Sequence, residues 1–219
     1  MSKIFKSQGI IFRTIKYSET SIICDIYTRE KGLKSFIASG VRSVKSRGNA
    51  AIYRPCNIVE IIGYEQDAER LSRIKEISLG FHFQNINVQI SISSIAIFIL
   101  ELSRNSIKEK EPNIELYDFL HNWLLYLDES VNYNNCLHLK FMIEFSYFLG
   151  FGPLENHAAE ALHFDMLEGI FADYRNESTN TLDADESALR ELHEQVNKTS
   201  PVGLTLSRPV KLTSHLTVW

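Results

Sequence analysis

The sequence predicts an α+β protein, with a five-stranded β-barrel over residues 1–80 and a mainly helical region over residues 81–219 that carries a small β-hairpin near 162–174. Two observations predict it. Five short runs rich in Ile, Val, Phe and Tyr crowd into the first eighty residues, and the apolar spacing then switches from a strand period to a helix period after Phe83. The charge changes with it: residues 1–80 hold 14 Lys and Arg against 8 Asp and Glu, whereas residues 81–219 hold 9 against 19. The net charge of −4 therefore averages a basic half and an acidic half, as expected of modules with different partners.

The predicted strands are Gln8–Ile15, Thr20–Tyr27, Leu33–Ser39, Asn57–Tyr64 and Arg70–Leu79. Their β-branched and aromatic side chains suit a pleated, half-buried surface. Tyr17-Ser-Glu19, Lys31-Gly32 and Glu65-Gln-Asp67 supply turn chemistry, while the connection 40–56 is long and basic. Five strands in so short a stretch avoid exposed edges most simply by closing into a Greek-key barrel of the oligonucleotide-binding (OB) type, with an SH3-like barrel as the competitor.

Val88, Ile92, Ile95, Ile99 and Leu102 then predict a helix to about Ile107, apolar on most of its circumference and therefore central. Glu111-Pro-Asn opens a second, with Ile114, Leu116, Phe119, Leu120, Trp123, Leu124 and Leu127 on its apolar face. A third spans about 134–149, with Leu137, Phe141, Phe145 and Phe148 on one side, and Gly150-Phe-Gly-Pro153 ends it. The short polar turn between helices two and three predicts an antiparallel pair. Beyond Pro153, His163–Tyr174 reads as a hairpin turning at Glu168-Gly169, Asp185–Val196 as a helix, and 201–219 as partly loose.

Several classes are disfavoured. The N-terminal Met1-Ser-Lys-Ile-Phe-Lys lacks a long apolar run, and Ile90–Leu102 is broken by three serines and a glutamate, so neither a signal peptide nor a membrane span is expected. Asn176 and Asn197 in N-x-S/T triplets are then chance matches. Three widely spaced cysteines, Cys24, Cys56 and Cys136, fit a cytoplasmic, reducing compartment and buried core thiols. No phosphate-binding, dinucleotide-binding, nucleophile-elbow or zinc-protease motif occurs, so no catalytic residue and no cofactor are expected. His157 and His163, even with Glu160 or Asp165, make a poor metal set, and Asp183 and Asp185 suit a helix cap better than acid/base work.

The segment Ser39–Ala50 is the most informative. It sets Arg42, Lys45 and Arg47 among small residues, and cations so close repel unless an anionic partner such as a phosphate backbone relieves them. These three are the candidate phosphate-contacting residues, joined by Arg13 and Lys34 if strands one and three pair. Phosphate contacts of this kind position a strand without reading its bases. Tyr17 and Tyr53 are the candidate base-stacking residues, with Tyr27 and Phe36 as lesser candidates. In the acidic half, Lys108, Lys110 and Lys140 are the obvious material for holding an acidic peptide.

Gly9-Ile-Ile-Phe-Arg-Thr14 with Tyr17-Ser-Glu19, Tyr27-Thr-Arg-Glu-Lys-Gly-Leu33, the basic Gly40–Arg47 run and Leu149-Gly-Phe-Gly-Pro153 are similar to the bacterial recombination mediator family RecO. The resemblance covers about residues 5–175. It implies binding of single- and double-stranded DNA, annealing of complementary strands, and action with RecR to load recombinase onto DNA coated by single-strand-binding protein. Many members carry a four-cysteine zinc site shortly after the Gly-Phe-Gly-Pro motif, but Asn156-His-Ala-Ala-Glu160 and the hairpin contain no cysteine, so no zinc is expected. The terminal stretch Leu206–Trp219 also departs from the helix that usually ends the family's chain. The residues themselves leave open a protein-only adaptor, with the barrel against an acidic partner, and an RNA-binding barrel.

Overall fold

The computed structural model describes residues 4–42, 49–64, 71–108, 111–129 and 137–152, together with the backbone of 163–165, 170–172 and 181–183. The chain forms two compact units, Met1–Tyr133 and Asn134–Trp219. The first holds the barrel and two helices.

Five strands build the barrel: β1 (Ile4–Lys16), β2 (Ile22–Thr28), β3 (Gly32–Ala38), β4 (Ile58–Tyr64) and β5 (Ser72–Leu79). They close in the order β1-β2-β3-β5-β4, with β4 returning antiparallel to β1 and β5 lying parallel to β3. This is the OB barrel, not its SH3-like competitor. β1 is long because it serves two partners: Gly9–Lys16 pairs with β2, and Ile4–Ile10 pairs with β4. A bulge between Ile11 and Arg13 bends it from one to the other. Gly9 lies close to β2, where a Cβ would come within 2.5 Å of Ile26 Cγ2.

Alternate side chains fill the interior, including Ile11, Ile22, Cys24, Ile26, Phe36, Val59 and Ile61. A 3₁₀ turn at Asn49–Tyr53 adds Tyr53 to this core. The turn is tied down by Thr14 Oγ1, which donates to the Tyr53 carbonyl at 2.7 Å, and by Asn57 Nδ2, which donates to the carbonyls of Ala51 and Ile52, each at 2.9 Å. The long 40–56 connection thus ends as a structured plug.

Two helices of the same unit follow, α1 (Ile90–Ser106) and α2 (Ile114–Glu129). Asn113 Oδ1 caps α2 by accepting the Leu116 N–H at 2.9 Å. α2 buries Leu116, Tyr117, Phe119, Leu120, Trp123, Leu124 and Leu127. α1 buries Ile92, Ala96, Ile99, Leu100 and Ser103 but leaves Ile90 84% and Ile97 46% exposed. The expected central position of α1 is therefore corrected. Its apolar residues run around the helix, yet only one face is covered. Asp128, near the end of α2, accepts the backbone N–H groups of Gln84, Asn85 and Ile86 at 2.9, 2.7 and 2.8 Å, which fixes the turn leading into α1.

In the second unit, α3 (Leu137–Phe148) buries Leu137, Phe141 and Phe145 and leaves Phe148 half-buried. Gly150 follows it at φ 82°, with the Phe151 N–H bonded to the Ser146 carbonyl at 3.1 Å, a glycine C-cap. Gly152 packs on the Tyr147 ring so closely that a Cβ would lie 2.3 Å from it. The expected hairpin is present as β6 (His163–Asp165) and β7 (Ile170–Ala172), and β8 (Thr181–Asp183) joins the other edge of β6. The turn at 168–169, the expected helix at 185–196, the terminal stretch and Cys136 lie outside the described residues.

Burial pushes the thiols of Cys24 and Cys56 up from 9.0 to about 12. A folded-state value above the unfolded one means that the neutral thiols support the fold fully below pH 9, and that this support is lost as pH rises toward 12. Urea-unfolding stability is expected to fall by about 1.4 kcal/mol per thiol for each pH unit above the unfolded value. The Cys24→Ala/Cys56→Ala variant should show a flatter fall. An equal fall in both proteins would assign the alkaline sensitivity to other groups.

Candidate nucleic-acid interface

The outer face of β1-β2-β3 is a ladder of cross-strand rungs, and the structure treats its two ends differently. At one end Tyr27 stacks on Phe12 with centroids 5.5 Å apart, meets Tyr117 of α2 at 6.2 Å, and donates from its hydroxyl to the Asn113 carbonyl at 3.4 Å. Arg29 beside it forms a bidentate pair with Asp118 of α2, both bonds 2.9 Å. That pairing holds the Asp118 carboxyl below the usual carboxylate range. Helix α2 thus covers this end.

The next rung carries Arg13, Asp25 and Ser35, with Asp25 bonded to Arg13, to Ser35 and to Arg104 of α1. Beyond it comes an apolar rung, Ile15–Ile23–Ile37, aligned across the three strands. Their neighbours Cys24 and Phe36 point into the core, so strand alternation puts the three isoleucines outside. Ile15 is 40% exposed, and Ile23 and Ile37 are half-buried. Past this row the β1–β2 turn closes through the N–H groups of Tyr17 and Ser18, each bonded to the Ser21 carbonyl at 3.1 Å. Tyr17 stands on it 59% exposed, beside exposed Lys16.

The basic connection meets the same turn. The Arg42 N–H bonds the Thr20 carbonyl at 3.1 Å, and its guanidinium donates to the Ser18 carbonyl at 3.2 Å. Arg42 is exposed and stands next to the turn that carries Tyr17, whereas Lys45 and Arg47 lie outside the described residues. The open end of the ladder therefore combines an apolar strip, an exposed aromatic ring and cations, which is the chemistry that lets a barrel hold a single strand.

Other expected residues are placed differently. β2 lies between β1 and β3, so those strands do not pair, and the premise that made Arg13 and Lys34 neighbours fails. Arg13 is instead bonded to Asp25, while Lys34 is half-buried in register with Ile26. Tyr53 is 7% exposed, with burial raising its hydroxyl from 10.0 to about 12, so it is a core residue and offers no stacking face. Tyr27 and Phe36 are buried as well. Lys140 lies buried 4.0 Å from Glu144, and desolvation lowers its pKa, which removes it from an exposed acidic-peptide site. Lys108 is exposed, and Lys110 is outside the described residues.

A cleft of about 490 Å³ lined by the end of β3, Tyr53, β4 and β5 pairs its own charges, Lys6 with Glu60 at 3.2 Å and Lys75 with Glu76 at 3.7 Å. Among the described residues no three His, Cys, Asp or Glu side chains gather as metal ligands, and His157 and Glu160 lie outside those residues. Sequence reasoning missed Asp25 and Arg104, which lie 79 positions apart and leave no local signal.

The fold and this surface define an OB-barrel protein with an appended helical region, whose open barrel end is basic and partly apolar. The chain belongs to the RecO family. Residues 1–81 match the family model of the recombination protein O N terminal region, and residues 88–161 match that of its C terminal region. The DNA repair protein RecO of Phocaeicola vulgatus is 32% identical over 203 residues, covering 93% of this chain and 84% of that protein. Its counterparts in Flavobacterium psychrophilum and Flavobacterium johnsoniae are each 34% identical, covering 80% and 76% of this chain and 74% and 70% of their own lengths. No helix among the described residues is long and apolar enough to cross a membrane.

Proposed function

We propose that this protein is a recombination mediator in DNA repair that binds single- and double-stranded DNA through the open end of its barrel. In this reading it anneals complementary strands and, with RecR, helps load recombinase onto DNA coated by single-strand-binding protein. Family membership supports the repair role. What supports the choice of surface is the meeting of Arg42 with the turn that bears Tyr17, beside the isoleucine rung with its exposed Ile15. Arg42, with Lys45 and Arg47 following in the chain, contacts phosphates, Tyr17 stacks on a base, and the isoleucines pack against base or sugar faces. Annealing then needs no catalytic group and no cofactor, because neutralising two phosphate backbones lowers the repulsion between them. The protein acts in the cytoplasm, at the nucleoid.

The test is fluorescence-anisotropy binding of single-stranded DNA across a salt series, comparing the unaltered chain with a folded Arg42→Ala/Lys45→Ala/Arg47→Ala variant. Affinity should fall steeply with salt, and the variant's log–log slope should be shallower by about 2, at roughly 0.7 per lost phosphate contact on a single strand. Equal slopes would move the phosphate track elsewhere, and no binding at low salt would favour the protein-only adaptor. Competition by RNA of equal length would separate DNA from RNA preference.

A further inference from the structure

Arg104 is a cation of the helical segment that nothing in the sequence places near DNA. The structure carries it onto the barrel's outer face. Its Nε donates to Asp25 Oδ2 at 3.1 Å, and Arg13 donates to the same oxygen through Nε at 3.0 Å, with its Nη2 in ion-pair contact at 3.0 Å. Ser35 Oγ holds the other carboxylate oxygen at 2.6 Å. The Asp25 side chain is 9% exposed, whereas those of Arg104 and Arg13 are 31% and 46% exposed.

The donor inventory is asymmetric. A guanidinium carries five N–H donors. Among the described residues neither terminal nitrogen of Arg104 is bonded, nor is Nη1 of Arg13. One buried carboxylate thus holds two arginines in place, leaving a local charge of one positive unit and a set of accessible N–H groups. The rung adjoins Ile15–Ile23–Ile37, two residues or about 7 Å along the strands. Planar guanidinium forks held by a partner have lost little freedom still to be lost, and their geometry matches the oxygens of a phosphate.

We propose that Arg104 and Arg13, oriented by Asp25, form a binding site for a backbone phosphate of the DNA strand lying across the isoleucine rung. This deepens the DNA-binding reading above and rests on it. The helical segment then contributes a DNA contact as well as covering the far end of the barrel face, and Asp25 is a positioning residue.

The experiment uses the full chain and fluorescein-labelled oligothymidylate. In the first arm, unaltered protein reacts with phenylglyoxal with and without the oligonucleotide, and adducts at Arg104 are counted by mass spectrometry. Bound DNA should slow modification of Arg104 several-fold. In the second arm, Arg104→Gln should weaken binding by roughly tenfold, as loss of a charge-assisted contact predicts, and flatten the salt slope by about 0.7. Arg104→Lys should restore the slope. If Arg104 reacts equally fast with and without DNA, or if a folded Arg104→Gln protein keeps the slope of the unaltered chain, the arginines serve only to dock α1 and the inference fails. Should Arg104→Gln fail to fold, the labelling of unaltered protein decides alone. In either failure, a retained dependence on Arg42, Lys45 and Arg47 leaves the DNA-binding reading standing. No binding of oligothymidylate by the unaltered chain overturns both.

Discussion

Replacing Asp128 by alanine is expected to destabilise the first compact unit by about 3–5 kcal/mol, from hydrogen bonds to a charged acceptor worth about 1.5–3 kcal/mol each, less what water recovers at the exposed end of the turn. The carboxylate is 6% exposed and accepts three consecutive backbone N–H groups, from Gln84, Asn85 and Ile86. These belong to the stretch joining β5 to α1, and α1 has no side-chain cap of its own at Gln89. Alanine would leave the donors without an acceptor, the Ile86 group in a buried setting. Urea unfolding at neutral pH measures the loss. Asp128→Asn keeps one acceptor oxygen and should cost distinctly less, whereas a loss below about 1 kcal/mol for alanine would mean that water replaces the carboxylate easily.

Trp123→Ala should cost a similar amount, about 3–5 kcal/mol for a buried large aromatic whose cavity cannot collapse fully. Trp123 is completely buried and meets Phe119 and Tyr126 edge-on, with centroids 6.5 and 5.6 Å apart. Buried Leu120, Leu124 and Leu127 lie on the same helix. Trp123→Phe retains much of the buried area and should lose less than half as much. Equal losses for the two substitutions, read by the same urea titration, would contradict a packing origin.

The strands and helices were legible because alternation and helical spacing are local properties. Gly150 as the cap of α3 was legible for the same reason, since a left-handed residue after a helix favours glycine. Side-chain placement was less so. Tyr53 sits in a turn-rich stretch that reads as surface, and only the 3₁₀ turn folding back into the barrel makes it core. Arg13 looked like a free cation because its partner is read as one member of an apolar strand, and the Asp25–Arg104 bond spans a sequence separation that no pattern reports. Within the candidate interface, Arg42 and Tyr17 were visible from composition and turn chemistry. The Ile15–Ile23–Ile37 row was not, since it depends on the register of three strands.

The burial of Tyr27 beneath α2 shortens the part of the barrel face that the proposed function leaves for a DNA strand. With one end of the ladder closed, the accessible row spans three strands spaced about 4.8 Å apart, a width of roughly 10 Å. On the proposed DNA-binding reading, a strand crossing so short a footprint would keep most of its bases outside the protein, free to meet a complement. In the proposed annealing reading, a duplex formed over so narrow a row would have few protein contacts to give up on leaving.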